Sequence, residues 1–142
     1  MEYFEVYTEE NTNFTFLYPP TWSIDPKDPL QLTTTRSSTQ SASGDFTTGM
    51  AWIQVIINKN SIINMIQALG SVDTKEQITL DGNPATKVTG STGVAGTVTY
   101  TAIITIKSNT TNTLKLTTQD EQLLPIVKSE FDQILSTFKF TQ

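Results

Sequence analysis

An apolar run in the middle of the chain, residues 50–57, constrains the fold more than any other segment. Its sequence is MAWIQVII. As a strand it has Trp52 and Ile56 on one face and Ile53, Val55 and Ile57 on the other. A strand that is apolar on both faces lies in the interior of a sheet, because both of its faces must be covered. We therefore expect a sheet with covering elements on each side.

Other segments alternate apolar and polar residues, which is typical of strands in an antiparallel sheet. Residues 98–107 form the longest such segment, and residues 113–118 follow it with Leu114 and Leu116 directed inward. The remaining predicted strands are residues 3–8, 14–18, 30–36, 76–80 and 83–89. Turn residues separate them at 9–13, 81–82, 91–96 and 108–112. Residues 37–49, SSTQSASGDFTTG, are mostly small and polar and predict a mobile loop.

The stretch FTFLYPPTW, residues 14–22, ends a strand abruptly. Three of its aromatic residues share one strand face, namely Phe14, Phe16 and Tyr18. The two prolines that follow have no backbone N–H for a sheet ladder, so pairing must stop there. We expect Trp22 to fold back over the end of the aromatic face as a structural lid on the core.

Two segments have the residue spacing of amphipathic helices. Residues 61–69 predict a short helix with Ser61 or Asn60 as N-cap and Gly70 as its end. Its predicted apolar side consists of Ile62, Ile63, Ile66 and Leu69. Residues 121–138 predict a longer helix that packs on the sheet through a wide apolar stripe. That stripe consists of Leu124, Val127, Phe131, Ile134, Leu135 and Phe138.

These elements predict one α+β domain over residues 1–142. We expect an antiparallel β-sheet with a long C-terminal helix and a short internal helix. No internal repeat and no linker divides the sequence. A chain of 142 residues is a normal size for one domain.

The composition excludes several classes of function. The net charge is −5 and Arg36 is the one arginine, so a phosphate backbone is not the expected partner. The chain has no cysteine and no histidine, which removes thiolate chemistry, the commonest acid/base group near neutral pH and the commonest transition-metal ligand. No run approaches the roughly 20 apolar residues that span a bilayer. We expect no nucleic acid, no metal, no cofactor and no membrane insertion by this segment.

Carboxylates are the remaining acid/base candidates. Asp25 and Asp28 flank a Pro-Lys pair, and adjacent acids occur at residues 9–10 and 120–121. All of them fall in predicted turns or helix ends, where solvated acids are ordinary, so we expect no catalytic site. Asp81-Gly82-Asn83 is too short for a calcium loop. No phosphate-binding glycine motif is present, because the glycines of residues 90–96 belong to a predicted hairpin.

Three segments, in this order, resemble the PsbP-like family, named for the extrinsic oxygen-evolving enhancer of photosystem II. They are F-x-F-x-Y-P-P-x-W at residues 14–22, ITLDGNPA at 78–85 and F-x-x-I-L-x-T-F at 131–138. The corresponding family patterns are Y-P-x-x-W after the first hairpin, G-x-P-A before the long central strands, and I-L-x-S-F at the end of the last helix. The resemblance implies an α/β/α sandwich, shared with a Ran-binding nuclear import factor. It also implies a mostly non-enzymatic role in docking on protein complexes. The metal sites of plant members use histidine, so they are not transferred to this chain.

The leading hypothesis is a non-catalytic PsbP-like module that binds or assembles with an unidentified protein partner, as a monomer or weak oligomer. We expect it outside the cytoplasm, secreted or tethered through an upstream anchor, with a cytoplasmic location as the alternative. A second hypothesis is a small-ligand or lipid carrier with a pocket between the C-terminal helix and the sheet. The predicted pocket or docking residues are Trp22, Trp52 and Tyr100. A third, a carboxylate-dependent hydrolase, needs two acids that face one cleft.

Overall fold

The computed structural model describes residues 4–8, 12–25, 27–34, 51–92, 98–119 and 124–141. The strands of those ranges are β1 (Glu5–Tyr7), β2 (Phe14–Tyr18), β3 (Trp22–Asp25), β4 (Asp28–Thr34), β5 (Ala51–Asn58), β6 (Ser71–Leu80), β7 (Asn83–Thr92), β8 (Val98–Lys107), β9 (Thr110–Thr118) and β10 (Lys139–Phe140). The helices are α1 (Ile62–Leu69) and α2 (Leu124–Ser136). The chain is therefore an α+β structure, as predicted.

Seven of the described strands form the main sheet, in the order β3-β4-β5-β9-β8-β7-β6. Every neighbouring pair is antiparallel. The apolar run of β5 lies in the interior of this sheet, between β4 and β9, as its two apolar faces predict. A smaller antiparallel sheet has the order β1-β2-β10.

Two hairpins of the main sheet turn through residues with positive φ. Asp81 and Gly82 have φ of 50° and 75°, and Ser108 and Asn109 have φ of 54° and 62°. Positive φ at both central residues gives a turn whose twist matches that of the paired strands. The second turn is shorter than predicted, because β9 already begins at Thr110.

One face of the main sheet is covered by α2 and the small sheet. Ile53 and Leu116 of the main sheet belong to a single buried cluster with Phe16 of β2 and with Phe131 and Ile134 of α2. The alternating rings of β2 are buried in this cluster, as the sequence predicts. The front of the chain and its last helix thus share one core, which is the largest source of hydrophobic stabilisation in the described fold.

Thr137 joins the end of α2 directly to β2. Its hydroxyl oxygen accepts a hydrogen bond from the backbone N–H of Leu17 at 2.9 Å. The same hydroxyl lies 2.8 Å from the carbonyl oxygen of Ile134 and donates to it. The hydroxyl thus gives a hydrogen-bond acceptor to a backbone N–H of β2 that the strand pairing does not use. This bond fixes the end of the helix against the small sheet.

The opposite face of the main sheet carries α1. Ser61 caps this helix by accepting a hydrogen bond from the backbone N–H of Asn64 at 3.2 Å, as predicted. Met65 and Leu69 are the buried residues of α1, and they pack on the β8 residues Ala102 and Ile104. The neighbouring Ile103 packs on the other face, so the helices lie on opposite sides of the sheet.

Four element predictions need correction. The predicted apolar side of α1 is wrong for Ile63, which is 68% exposed, while Met65 is buried instead. The strand predicted at 76–80 begins at Ser71, and β3 was not predicted. The last helix has 13 residues and ends at Ser136, so Phe138 follows it.

Several predictions concern residues outside the described ranges. The loop predicted at 37–49, the turn at 9–11, the residues 93–97 and the helix start at 121–123 are among them. That residues 1–142 form one domain stays a prediction.

Candidate functional site

Trp22 lies on the α2 side of the main sheet, inside the core. Its backbone N–H donates to the carbonyl oxygen of Pro19 at 3.1 Å, which closes the turn after the proline pair. The side chain is 2% exposed and packs in the cluster of β2 rings and α2 residues. Its indole N–H is buried with no hydrogen-bond acceptor. Trp22 therefore acts as a core residue and is not available to a ligand.

Trp52 and Tyr100 lie together on the other side of the sheet. Trp52 of β5 is paired with Thr117 of β9, and Tyr100 of β8 is paired with the same residue. All three side chains share one sheet face, because paired residues in adjacent strands project to the same side. Strand spacing of about 4.8 Å puts the two aromatic residues roughly 10 Å apart, with Thr117 between them.

We call this region the Trp52 patch and define it as Trp52, Gln54, Lys115 and Thr117. Gln54 is paired directly with Lys115, two residues along the strands from the pair of Trp52 and Thr117. Trp52, Gln54 and Lys115 are half-buried, whereas Thr117 is only 4% exposed. None of the four belongs to the cluster that α1 forms with the sheet. Trp52 therefore lies on a part of this sheet face that does not pack against the α1 cluster.

Tyr100 forms one border of the Trp52 patch and is held in place through its hydroxyl. Its hydroxyl donates to the carbonyl oxygen of Ser71 at 2.7 Å. This reach is possible because the residue paired with it in β7 is Gly90, which has no side chain in the way. Burial, and then the charge of Asp73, raise the pKa of the Tyr100 hydroxyl. Tyr100 therefore stays neutral and anchored at physiological pH.

Lys115 brings the one cation of the patch. Its Nζ atom lies 5.5 Å from the centroid of the Tyr100 ring, which is a cation–π arrangement. Burial lowers the pKa of the Lys115 ammonium from its usual value of 10.5. Among the described residues, the ion pair found joins Lys87 to Glu76 at 3.9 Å, and no carboxylate pairs with Lys115. The ammonium is thus partly desolvated without an opposite charge to compensate it.

Two hydroxyls on the same face of β9 lack partners. The Oγ1 atoms of Thr113 and Thr117 are buried and make no hydrogen bond. Thr113 lies between Ile56 and Ile104 in register, beneath the region that α1 covers, and is fully buried. Thr117 instead lies in the Trp52 patch. Buried hydroxyls normally find a partner, so both threonines are exceptions, and neither hydroxyl is open to a ligand in this structure.

A cavity of about 190 Å³ is a second feature, between the sheet and the start of α2. Half of its ten lining residues carry a hydroxyl, and Asp73 and Lys128 are its charged members. Tyr100 contributes to the lining, but Trp22 and Trp52 do not. The cavity is smaller than the roughly 300–1,000 Å³ of most ligand pockets.

Three of the described acids have local structural roles. Asp25 accepts a hydrogen bond from the backbone N–H of Lys27 at 2.8 Å, and Asp28 accepts one from the backbone N–H of Leu30 at 3.1 Å. Glu130 of α2 is buried and accepts from the Thr21 hydroxyl. Within the described ranges, no three metal-ligating side chains come together. No helix in that part of the chain is long and apolar enough to cross a membrane.

The structure thus brings together two of the three residues predicted from the sequence, Trp52 and Tyr100, and leaves Trp22 on the other face. Lys115 was not predicted as a site residue, and Thr117 was not among the predicted pocket or docking residues. Their sequence signal is weak, because a single lysine in the threonine-rich strand TTNTLKLTT is typical of a solvated sheet face.

Neither protein-family models nor curated protein sequences match this chain. Solved structures do. The solution structure of cyanobacterial PsbP (CyanoP) from Synechocystis has a TM-score of 0.60 at 17% identity, covering 96% of this chain and 92% of CyanoP. LpqN, involved in cell envelope biogenesis of Mycobacterium tuberculosis, has a TM-score of 0.58 at 14% identity, covering 100% and 91%.

A protein from Bacteroides thetaiotaomicron has a TM-score of 0.53 at 13% identity, and 92% of this chain spans 46% of its length. Identities this low establish the fold alone. The antiparallel main sheet, with α1 on one face and α2 on the other, matches CyanoP over nearly the full length of both chains. The protein therefore has the PsbP-like fold that the three sequence segments indicate.

Proposed function

We propose that this protein is a non-catalytic docking or assembly module that binds a protein partner through the Trp52 patch. The observation that carries this proposal is a half-buried indole on a sheet face that the internal helix leaves uncovered. The helix α1 covers another part of the same face, and α2 and the small sheet pack on the opposite face.

The chemistry of the patch suits a protein interface. Tryptophan is among the residues that contribute most to binding energy, and interface cores are depleted in charge. The patch carries one charge, on Lys115, beside an amide and a hydroxyl. Tyr100 is fixed by its bond to Ser71, so docking would cost little side-chain entropy there.

The fold neighbours support a role of this kind outside the cytoplasm. CyanoP is a cyanobacterial PsbP, and LpqN takes part in cell envelope biogenesis. Both share the fold of this chain, and the sequence lacks histidine and cysteine, the side chains most used for catalysis near neutral pH. We place the protein at the cell envelope or beyond it, as a secreted or tethered module.

Position-specific crosslinking tests the proposal. A photo-crosslinking residue is placed at Gln54, inside the Trp52 patch, or at Ser136, an exposed position at the end of α2. In living cells, we expect one discrete adduct from position 54 and none from position 136. The adduct should fade when Trp52 is also changed to Ala. Identical adducts from both positions, or none from position 54, would refute docking through this face.

The cavity beneath α2 favours a second candidate, the binding of a small polar molecule. Threonine hydroxyls, Asp73 and Lys128 line it, so a compact ligand with both donors and acceptors fits better than a lipid chain. Native mass spectrometry of the purified protein should then reveal a retained mass that is lost in Thr101→Val. A clean apo mass would disfavour this candidate.

A further inference from the structure

The helix α1 presents apolar side chains to solvent as well as to the sheet. Met65 and Leu69 face the sheet and are buried. Ile63 lies on the outer side and is 68% exposed, the largest exposed fraction among the large apolar side chains of the described ranges. Ile62 and Ile66 are half-buried and pack on the edge of the α1 cluster. The described part of the chain therefore leaves the outer side of this helix apolar and largely uncovered.

A strand residue extends this apolar surface. Ile106 of β8 is 47% exposed and lies two positions beyond Ile104, on the sheet face that carries α1. Its pairing partner is Thr111 of β9, whose hydroxyl donates to the carbonyl oxygen of Asn60, directly before the Ser61 cap. Ile106 therefore lies beside the start of α1. We call this surface the α1 patch and define it as Ile62, Ile63, Ile66 and Ile106.

The helix of the α1 patch carries no charged side chain. Its sequence is IINMIQAL, and its exposed polar residues are the amides Asn64 and Gln67. The other described helix, α2, carries one lysine and two acids. The whole chain has a net charge of −5, so two copies repel each other unless they meet where acids are absent. An uncharged apolar surface meets that condition, and the cores of protein interfaces are likewise depleted in charge.

The two ends of α1 are flanked by opposite charges. Lys59 comes just before the helix, and Asp73 comes shortly after it on the exposed start of β6. Two α1 helices related by a two-fold axis perpendicular to them run antiparallel, so each Lys59 comes near the Asp73 of the other copy. Each lysine then also lies by the negative C-terminal end of the neighbouring helix. The charges around α1 are therefore complementary to those of a second copy.

We propose that a second copy of this chain packs on the α1 patch and forms a two-fold symmetric dimer. Ile63 of each copy packs beside Ile66 of the other, and two ion pairs between Lys59 and Asp73 flank the contact. The helix has eight residues and is about 12 Å long, so the contact is small. We expect a dissociation constant in the micromolar range or weaker. This dimer goes beyond docking through the Trp52 patch and does not depend on it.

A lipid surface fits the α1 patch less well than a second copy does. Helices that lie in a membrane interface carry several lysines or arginines on their polar side, and many are about 20–30 residues long. The helix α1 is short, its outer polar residues are amides, and the charge of Lys59 at its start is opposed by that of Asp73 beyond its end. An unrelated protein would need its own uncharged apolar surface, whereas a second copy supplies one by symmetry.

Sedimentation of the intact protein over a range of concentrations tests the dimer. We expect the average mass to rise from one chain toward two as the concentration increases. Backbone amide resonances of α1 should shift over the same range, while those of α2 should not. A monomer at every concentration up to about 1 mM would overturn the inference. Open-ended assemblies would also overturn it, because a two-fold contact closes at two copies.

A pair of matched variants tests the place of the contact. Ile63→Gln removes the exposed isoleucine of α1 and should weaken the dimer at least tenfold. Ile126→Gln changes an exposed isoleucine of α2, on the other side of the sheet, and should leave the dimer unchanged. At concentrations where the protein is monomeric, both variants should keep the melting temperature of the unchanged protein. Equal effects of the two variants on the dimer would contradict the assignment to α1.

Charge reversal tests the antiparallel arrangement of the two helices. Lys59→Asp or Asp73→Lys alone puts like charges together and should weaken the dimer several-fold, and the double variant should restore it. Lys27→Asp lies at the opposite edge of the main sheet and is the control for net charge. At physiological salt it should leave the affinity unchanged within about twofold. A double variant that dimerises no more tightly than the single variants would contradict the arrangement.

Two measurements distinguish the dimer from other uses of the same sheet face. If the protein stays monomeric but floats with phosphatidylcholine vesicles in a manner that Ile63→Gln abolishes, the α1 patch binds lipid and the dimer inference fails. Trp52→Ala should weaken crosslinking to the partner and leave the dimer intact. Loss of the dimer in Trp52→Ala would mean that the copies meet through the Trp52 patch, and the assignment to α1 would fail.

Discussion

Gly90→Ala tests the register of the sheet at the border of the Trp52 patch. Gly90 is paired with Tyr100 on one side and with Val72 on the other. A Cβ atom at this position would overlap the carbonyl oxygen of Ser71 and lie 2.7 Å from the Tyr100 hydroxyl. That carbonyl oxygen and that hydroxyl are bonded to each other at 2.7 Å. A single methyl group would therefore push β6 away and break the bond that holds Tyr100.

The substitution Gly90→Ala has one stabilising and two destabilising effects on the folded protein. Replacing a glycine within a strand by alanine normally stabilises a protein by about 0.5–1 kcal/mol, because the unfolded chain has less freedom to lose. Here overpacking costs about 1–3 kcal/mol. The buried Tyr100 hydroxyl, once it loses Ser71, costs about 1–3 kcal/mol more. The two destabilising effects outweigh the stabilising one, and we expect the free energy of unfolding to fall by about 2–4 kcal/mol.

Thermal and urea unfolding measure this loss. At about 3–4 °C per kcal/mol for a chain of this size, the melting temperature should fall by about 6–16 °C. Ser91→Ala, the adjacent residue with its side chain on the other face, is the matched control and should change stability by less than about 0.5 kcal/mol. A melting temperature for Gly90→Ala at or above that of the unchanged protein would refute the close approach of β6 to β7 and Tyr100.

Three further perturbations have defined outcomes. Thr137→Val should lower the free energy of unfolding by about 1–3 kcal/mol in urea titrations, because it strands the backbone N–H of Leu17; an unchanged midpoint would contradict the link between α2 and β2. Burial lowers the pKa of Lys115, so the unfolded chain holds its proton to higher pH than the folded chain does. Stability relative to Lys115→Met should therefore rise as the pH increases from the lowered pKa toward 10.5, and a flat difference would contradict the burial of this ammonium. Glu76→Gln should change stability by less than about 0.5 kcal/mol, because its ion pair with Lys87 is long and exposed, and a larger loss would contradict that exposure.

The sequence predicted those parts of the fold in which a local pattern decides the structure. The alternating rings of β2, the apolar run of β5 and the long alternation of β8 each specify a strand by side-chain period alone. The short internal helix has a clear cap in Ser61. The two apolar faces of β5 correctly required cover on both sides of the sheet.

Elements without such a pattern were missed. The first half of β6, from Ser71 to Lys75, is exposed and mostly polar, and it forms a strand because it pairs with β7 at the edge of the sheet. The strand β3 has four residues, too few for an apolar–polar alternation to be recognised in the sequence. The helix α1 has three isoleucines, so its sequence does not say which side faces the sheet. Packing on β8 sets the rotation of the helix about its axis, which buries Met65 and exposes Ile63.

The candidate site depends on strand order, which no local pattern encodes. Because β9 lies between β5 and β8, Trp52 and Tyr100 become neighbours of Thr117 although they are 48 residues apart in the sequence. Alternation alone puts Lys115 and Thr117 on a polar face of β9, but it does not say which rings flank them. Trp22 was expected as a lid on the core and was also named as a pocket or docking residue, and its strand position directs it into the core.

The central claim is that the two tryptophans serve different faces of the main sheet, one in the core and one at a docking surface. Two indole N–H resonances in one spectrum, assigned by Trp52→Phe, test it through broadening by a soluble paramagnetic agent. We predict strong broadening of Trp52 and none of Trp22, and protection of Trp52 once the crosslinked partner is added. Equal protection of both indoles in the free protein, or broadening of Trp22 first, would contradict the account.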